Sequence, residues 1–173
     1  MMLRGLICVG CLLLVSCAPS VEDYADATPT LDIREFFDGE LVAFGVIQDF
    51  TGEAVSHFTA DVTGSWDGNK GVLDERFVFD DGSTETRIWH LDVEDAHNFT
   101  GTAGDVIGTA EGKQYGNALN MQYTLERERD GSAMTFTMDD WMYRVSDNYL
   151  INRTAMYKYG IHVADITIGF HKK

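Results

Sequence analysis

Two groups of residues in this chain carry identifiable chemistry. The first is Leu14-Val15-Ser16-Cys17. A leucine three positions before a cysteine, a small residue just ahead of it, and hydrophobicity that ends at the cysteine form the processing pattern of a bacterial lipoprotein. The chain would be cut before Cys17 and the cysteine acylated. The second group is a set of polar side chains within stretches of alternating hydrophobicity: Glu75 and Arg87, then Asp140, Asn152 and Lys158. Polar groups on an apolar inner face either satisfy one another or meet the polar end of a bound molecule. A buried Asp140 would also have a raised pKa suited to acid or base work.

The sequence around these groups bounds what they can do. Arg4 and the apolar run Leu6 to Val15 precede Cys17. That run is about half the roughly 20 residues needed to cross a bilayer, so it reads as a signal peptide. Residues 1–16 are expected to be removed. Residues 17–30, small, acidic and holding both prolines, Pro19 and Pro29, read as a lipidated flexible tether. Ala18 follows the cysteine, where an Asp commonly retains lipoproteins at the inner membrane. The expected address is therefore the outer membrane, facing the periplasm, with the acyl chains as the membrane contact. Cys8 and Cys11 leave with the signal, so acylated Cys17 is the one mature cysteine of three, and neither a disulfide nor a cysteine-ligated metal is expected. A net charge of −15 argues against nucleic acid as a partner.

Residues 31–173 must position the second group. Short apolar-alternating runs, separated by turn signals such as Thr51-Gly52, Asp80-Asp81-Gly82 and Asp130-Gly131, predict an all-β antiparallel meander of about ten strands. Leu31 to Phe37 predicts a short helix ahead of them. Closure into an up-and-down barrel would remove the open edges and leave room for one small ligand.

Turn geometry sets the pairing of three hairpins. The first places Glu75 opposite Arg87 and Leu73 opposite Trp89, so that the one acid and the one base on those faces meet as an ion pair. The second places Tyr123 opposite Met138 and Met121 opposite Asp140. The third, turning near Ser146, places Asp140 opposite Asn152 and Met142 opposite Leu150. Met134, Phe136, Met138, Asp140 and Met142 then share one inward face, joined by Met121 and Met156. Such a methionine-rich wall is adaptable, as binding surfaces and irregular cores both require. On the outer face Asp139 is expected across from Arg153.

Other chemistry is weakly signalled. His57, His90, His97, His162 and His171 form no H-x-H or E-x-x-H spacing, so neither a metal nor a histidine-ligated haem is indicated. No cofactor motif and no G-x-S-x-G elbow occurs. Asp80-Asp81 and Asp139-Asp140 are adjacent on strands or turns and face opposite ways, so neither is a ready-made dyad. The Gly-rich run from Gly101 to Gly112 lacks a P-loop lysine and reads as a strand that bends or packs tightly.

Several motifs occur in a recognisable order: Phe36-Phe37-Asp38-Gly39, Gly64-Ser65-Trp66-Asp67-Gly68-Asn69, Leu73-Asp74-Glu75-Arg76-Phe77, Arg87-Ile88-Trp89, Gly101-Thr102-Ala103-Gly104-Asp105-Val106, Gly116-Asn117-Ala118, Asp139-Asp140-Trp141-Met142, Asn152-Arg153 and Lys158-Tyr159-Gly160. From about Leu31 to Phe170 the chain resembles a family of proteobacterial lipoproteins built on a domain of unknown function with a lipocalin-like, calycin-type barrel. Gly64-Ser65-Trp66 is also similar to the lipocalin G-x-W signature, although it falls on the second predicted strand. In lipocalins a late arginine often covers that tryptophan, and the resemblance gives this part to Arg153. The expectation is thus a membrane-anchored binding protein. Its barrel would hold a small apolar or amphipathic ligand, such as a fatty acid or another lipid, among Glu75, Arg87, Trp89, Met121, Tyr123, Met138, Asp140, Trp141, Asn152, Arg153 and Lys158. The alternatives are an enzyme acting on such a lipid through Asp140, and a solid-cored interaction domain.

Overall fold

The computed structural model describes residues 19–129 and 131–173; the stretch expected to be a signal peptide (residues 1–16), Cys17, Ala18 and Asp130 lie outside the described residues. The ten strands are β1 (Gly39–Asp49), β2 (Ala54–Asp67), β3 (Lys70–Phe79), β4 (Thr84–Val93), β5 (Asn98–Thr102), β6 (Val106–Tyr115), β7 (Ala118–Arg129), β8 (Ser132–Arg144), β9 (Tyr149–Lys158) and β10 (Ile161–Lys172). Each pairs antiparallel with its sequence neighbours, and β1 pairs with β10 to close the barrel. The all-β antiparallel barrel expected from the alternating pattern is therefore the one formed, in keeping with the lipocalin-like architecture that the resemblance implies. Closure pairs the otherwise exposed backbone edges of β1 and β10.

One end of the barrel is closed by a short helix, α1 (Ile33–Phe36), capped by the Asp32 side chain on Arg34 N–H. Its apolar face and the residues beside it, Leu31, Ile33, Phe36 and Phe37, are buried. Phe37 packs edge-on to Phe36 and Phe170. Two features of the G-x-W stretch fix this closure. A Cβ at Gly64 would fall 1.6 Å from the Phe37 carbonyl oxygen, and the Trp66 indole N–H donates to that same oxygen at 3.3 Å. Toward the other end, Phe58, Phe77 and Phe79 form an aromatic cluster on the inner face.

The segment read as a flexible tether is packed on the barrel where it is described. A 3-10 turn, Val21–Tyr24, buries Val21, Glu22 meets Lys113 of β6 at 2.9 Å, and Tyr24 packs on Trp141 and Tyr143 of β8. Small acidic composition suggested mobility, but one apolar and one aromatic residue suffice to dock a turn against an aromatic strand face. Arg144 secures the next stretch: its guanidinium donates to Thr30 O at 2.7 Å, to Glu35, and to the carbonyls of Ser146 and Asp147.

The first two hairpins have the predicted registers. Glu75 lies opposite Arg87 and Leu73 opposite Trp89; Tyr123 lies opposite Met138 and Met121 opposite Asp140. The third is displaced by two residues from the prediction. Asp140 faces Thr154, and Met142 faces Asn152, because the turn is centred beyond Ser146, with Val145 and Ser146 N–H both donating to Tyr149 O. The same shift puts Ala155 opposite Asp139 and Arg153 opposite Trp141, which removes the expected Asp139–Arg153 contact. Within the Gly-rich run, β6 carries two extra residues between Ile107 and Glu111 relative to β7, with Gly108 at φ +74°. The strand bends there, as the small residues suggest.

Candidate functional site

The barrel interior is an apolar enclosure with a polar waist. Leu73, Leu91, Leu119, Ile166, Ile168, Phe37 and Phe170 surround a cavity of about 90 Å³ that also meets Glu75, Arg87, Tyr123, Asp140, Asn152 and Thr154. Each polar group comes from the inward-facing register of its own strand, since side chains two apart share a face. The polar groups thus converge from β3, β4, β7, β8 and β9 although they are distant in sequence.

The ion pair predicted between Glu75 and Arg87 does not form as such. Their Cα atoms are paired across β3 and β4, but the Arg87 guanidinium is taken by Asp105 from the β5–β6 loop. Nε reaches both Asp105 oxygens at 3.1 and 3.0 Å, and Nη2 reaches one at 2.8 Å. Glu75, only 9% exposed, has no hydrogen-bond partner among the described residues and lines the cavity. Burial raises its carboxyl to about 7; Arg87 opposes the rise while Asp140 and Asp105 add to it. Asp140 is also buried, and burial raises it to about 7 against the downward pull of hydrogen bonds from Asn152 and Thr154. The Asn152 amide donates to Asp140 and, at 3.2 Å, to the Trp141 carbonyl. Thr154 Oγ1 also lies 3.3 Å from Asn152 Oδ1. The Tyr123 hydroxyl is held in its protonated form by the same burial. Its ring stands edge-on to Trp89, with centroids 5.4 Å apart.

Seven of the expected interior residues, Glu75, Arg87, Trp89, Met121, Tyr123, Asp140 and Asn152, line this one cavity. The others are placed elsewhere. Met138 is buried between its cross-strand partners Tyr123 and Met156, off the cavity. Lys158 sits at the far rim, over the Phe136 ring at 5.6 Å and 3.2 Å from the Met134 sulfur. Trp141 and Arg153 project from the outer face, because odd-numbered positions of β8 and β9 point outward. Arg153, its side chain 71% exposed, lies 3.8 Å from Asp165 and does not cover Trp66. The buried arginine at the closed end is Arg144, over the Phe36 ring at 5.8 Å. Thr154 and Asp105 are the polar residues the sequence reading missed. Thr154 was legible from its period-two spacing to Asn152; Asp105 comes from a loop and carries no such periodic signal.

A second hollow lies outside the wall, across β5 to β8. Trp141, Asp139, Asn120 and Gln122 line it beneath the segment Pro19–Glu22. Asp139 accepts from Asn120 at 2.8 Å and from the Trp141 indole at 3.3 Å. Phe99 and Tyr123 border both this groove and the inner cavity, so they form the partition between them, next to the bend in β6.

The fold is shared with a solved structure, that of the S-type phycobiliprotein lyase CPES from Guillardia theta. The TM-score is 0.62 over 90% of this chain and 98% of that one, at 8% sequence identity. No curated protein sequence matches the chain. Residues 11–172, nearly the full length and spanning every strand described above, match one family model, and the chain belongs to that family, described as proteins of unknown function (DUF3833).

Proposed function

We propose that this protein binds a small amphipathic molecule inside the barrel. Its polar end would meet Glu75, Arg87, Tyr123 and Asp140, and its apolar part would lie against Phe37, Leu91, Ile166 and Ile168. The observation that carries this reading is Glu75: a buried carboxyl without a hydrogen-bond partner among the described residues, facing a cavity rather than a neighbour. Unpartnered buried polar groups are costly, and a ligand that supplies the missing bond offsets that cost. Size narrows the class. A cavity of about 90 Å³ is smaller than those of about 150 Å³ that accept a benzene ring. A short chain of a few carbons suits it, whereas a long acyl chain requires Met121 and Met142 to swing aside, which their flexible side chains allow. Native mass spectrometry of the purified protein tests this. A small-molecule adduct is expected, and it should be lost in Met121→Trp, which fills the cavity. Failure to retain any adduct, together with failure to take up any short amphiphile, would refute the reading.

The address forms part of the same proposal. Acylation of Cys17 would hold the barrel at the periplasmic face of the outer membrane, close to a source of apolar metabolites. Incorporation of labelled palmitate, lost in Cys17→Ser, is the expected result; labelling that persists in Cys17→Ser would refute the assignment.

A further inference from the structure

The charge inventory of the cavity is unbalanced, and the imbalance identifies the ligand's buried end. Two carboxyl groups, Glu75 and Asp140, line the cavity with Arg87, its one cationic side chain among the described residues, and a third, Asp105, holds Arg87 from the β5–β6 loop outside the cavity. That guanidinium is committed to Asp105 through three short contacts. Glu75 is left without a donor although its Cα partner is Arg87. Asp140 receives the Asn152 amide and the Thr154 hydroxyl. Beside them stand the Trp89 and Tyr123 rings, whose faces attract cations when water is excluded.

We infer that the ligand is a short-chain organic cation, a primary or secondary ammonium. Its N–H donors would bond to Glu75 and Asp140, and its carbon chain would lie along Leu91, Ile166 and Ile168. This deepens the proposal of interior binding and rests on it. Above about pH 7, where Glu75 and Asp140 are ionised, a carboxylate ligand such as a fatty acid would add a further anion around an occupied guanidinium, where like charges in a dry site repel strongly. An ammonium supplies the donors that Glu75 lacks and brings the cavity toward neutrality.

Three probes of matched length, n-pentylamine, 1-pentanol and pentanoate, separate these cases. Each is titrated calorimetrically into the purified full chain at about 0.5 M salt, which screens the acidic exterior. The amine is expected to bind at least about tenfold more tightly than the alcohol, and pentanoate more weakly than either. In Glu75→Gln the preference for amine over alcohol should fall about tenfold, with the urea unfolding midpoint of the variant reporting that the barrel is still folded. Asp140→Asn should lower the same preference. Equal or tighter binding of the alcohol or of pentanoate overturns the cationic assignment and leaves interior binding standing. If none of the three binds, both are overturned.

Discussion

Glu75→Gln separates two descriptions of the barrel interior by its pH dependence. If Glu75 is the buried, unpartnered acid described above, its native carboxyl titrates at about 7 against an ordinary 4.5. Each unit of that difference corresponds to about 1.4 kcal/mol, so holding the ionised side chain in the folded barrel costs about 3 kcal/mol. The sign follows from proton linkage. Below about pH 4.5 the carboxyl is protonated in both states and adds nothing. Between about 4.5 and 7 the folded protein keeps a proton that the unfolded chain has released, so stability falls as pH rises, by up to about 1.4 kcal/mol per unit. Above about 7 both states are ionised and the loss is complete. Glutamine keeps the shape and cannot ionise. The variant should therefore match the parent near pH 4.5 and exceed it by about 3 kcal/mol near pH 8, with Arg87 still paired to Asp105. Asp140, raised from 3.8 to about 7, slopes the same way. The two titrate as a coupled pair because each charge disfavours the other, so the residual slope in Glu75→Gln should largely vanish in the Glu75→Gln, Asp140→Asn double variant. Urea unfolding at several pH values measures this directly. A variant that is less stable than the parent at pH 8 would mean that Glu75 is an essential ion-pair partner of Arg87, and the reasoning about an unpartnered acid would be wrong.

The remaining predictions concern the parts that hold this interior in place. Gly64→Ala puts a Cβ 1.6 Å from the Phe37 carbonyl; displacing that backbone forfeits the Trp66 hydrogen bond and part of the Phe37 burial, about 3 kcal/mol together, so an urea midpoint within error of the parent would contradict the structure at this corner. Gly112→Ala meets the buried Phe99 ring at 2.1 Å and should lose about 1–3 kcal/mol by overpacking, read by the same unfolding assay. Arg144→Met removes the donors to Thr30, Ser146 and Asp147; amide exchange at Leu31 to Phe37 should accelerate locally while β3 and β4 keep their protection, and unchanged exchange in that segment would count against the role given to Arg144.

Hairpin chemistry accounts for what could be read from the sequence. The turn at Asp80-Asp81-Gly82 admits one geometry, with Gly82 at φ +83°, and so the pairing of Glu75 with Arg87 followed from counting. The loop after Arg144 has no glycine to anchor it, and counting from Ser146 misplaced the register of β8 on β9 by two residues. Because side chains alternate with a period of two, an even error keeps every residue on its face. Asp140, Asn152 and the methionines were therefore rightly placed inside, while the cross-strand partners were wrong: Thr154, not Asn152, stands opposite Asp140. Trp141 and Arg153 failed for the complementary reason. Their odd positions already put them outside; only the resemblance to lipocalins assigns Arg153 to cover Trp66, and Trp141 enters as one of the aromatics expected to line or flank the apolar part. Asp105 lay beyond reach because a loop residue has no face until the chain closes. Its capture of Arg87 turns a self-satisfied pair into an acid left facing empty space. Strand periodicity thus reveals which groups share the interior, but the bonds among them, and hence the charge left over for a ligand, depend on a loop contact that periodicity does not encode.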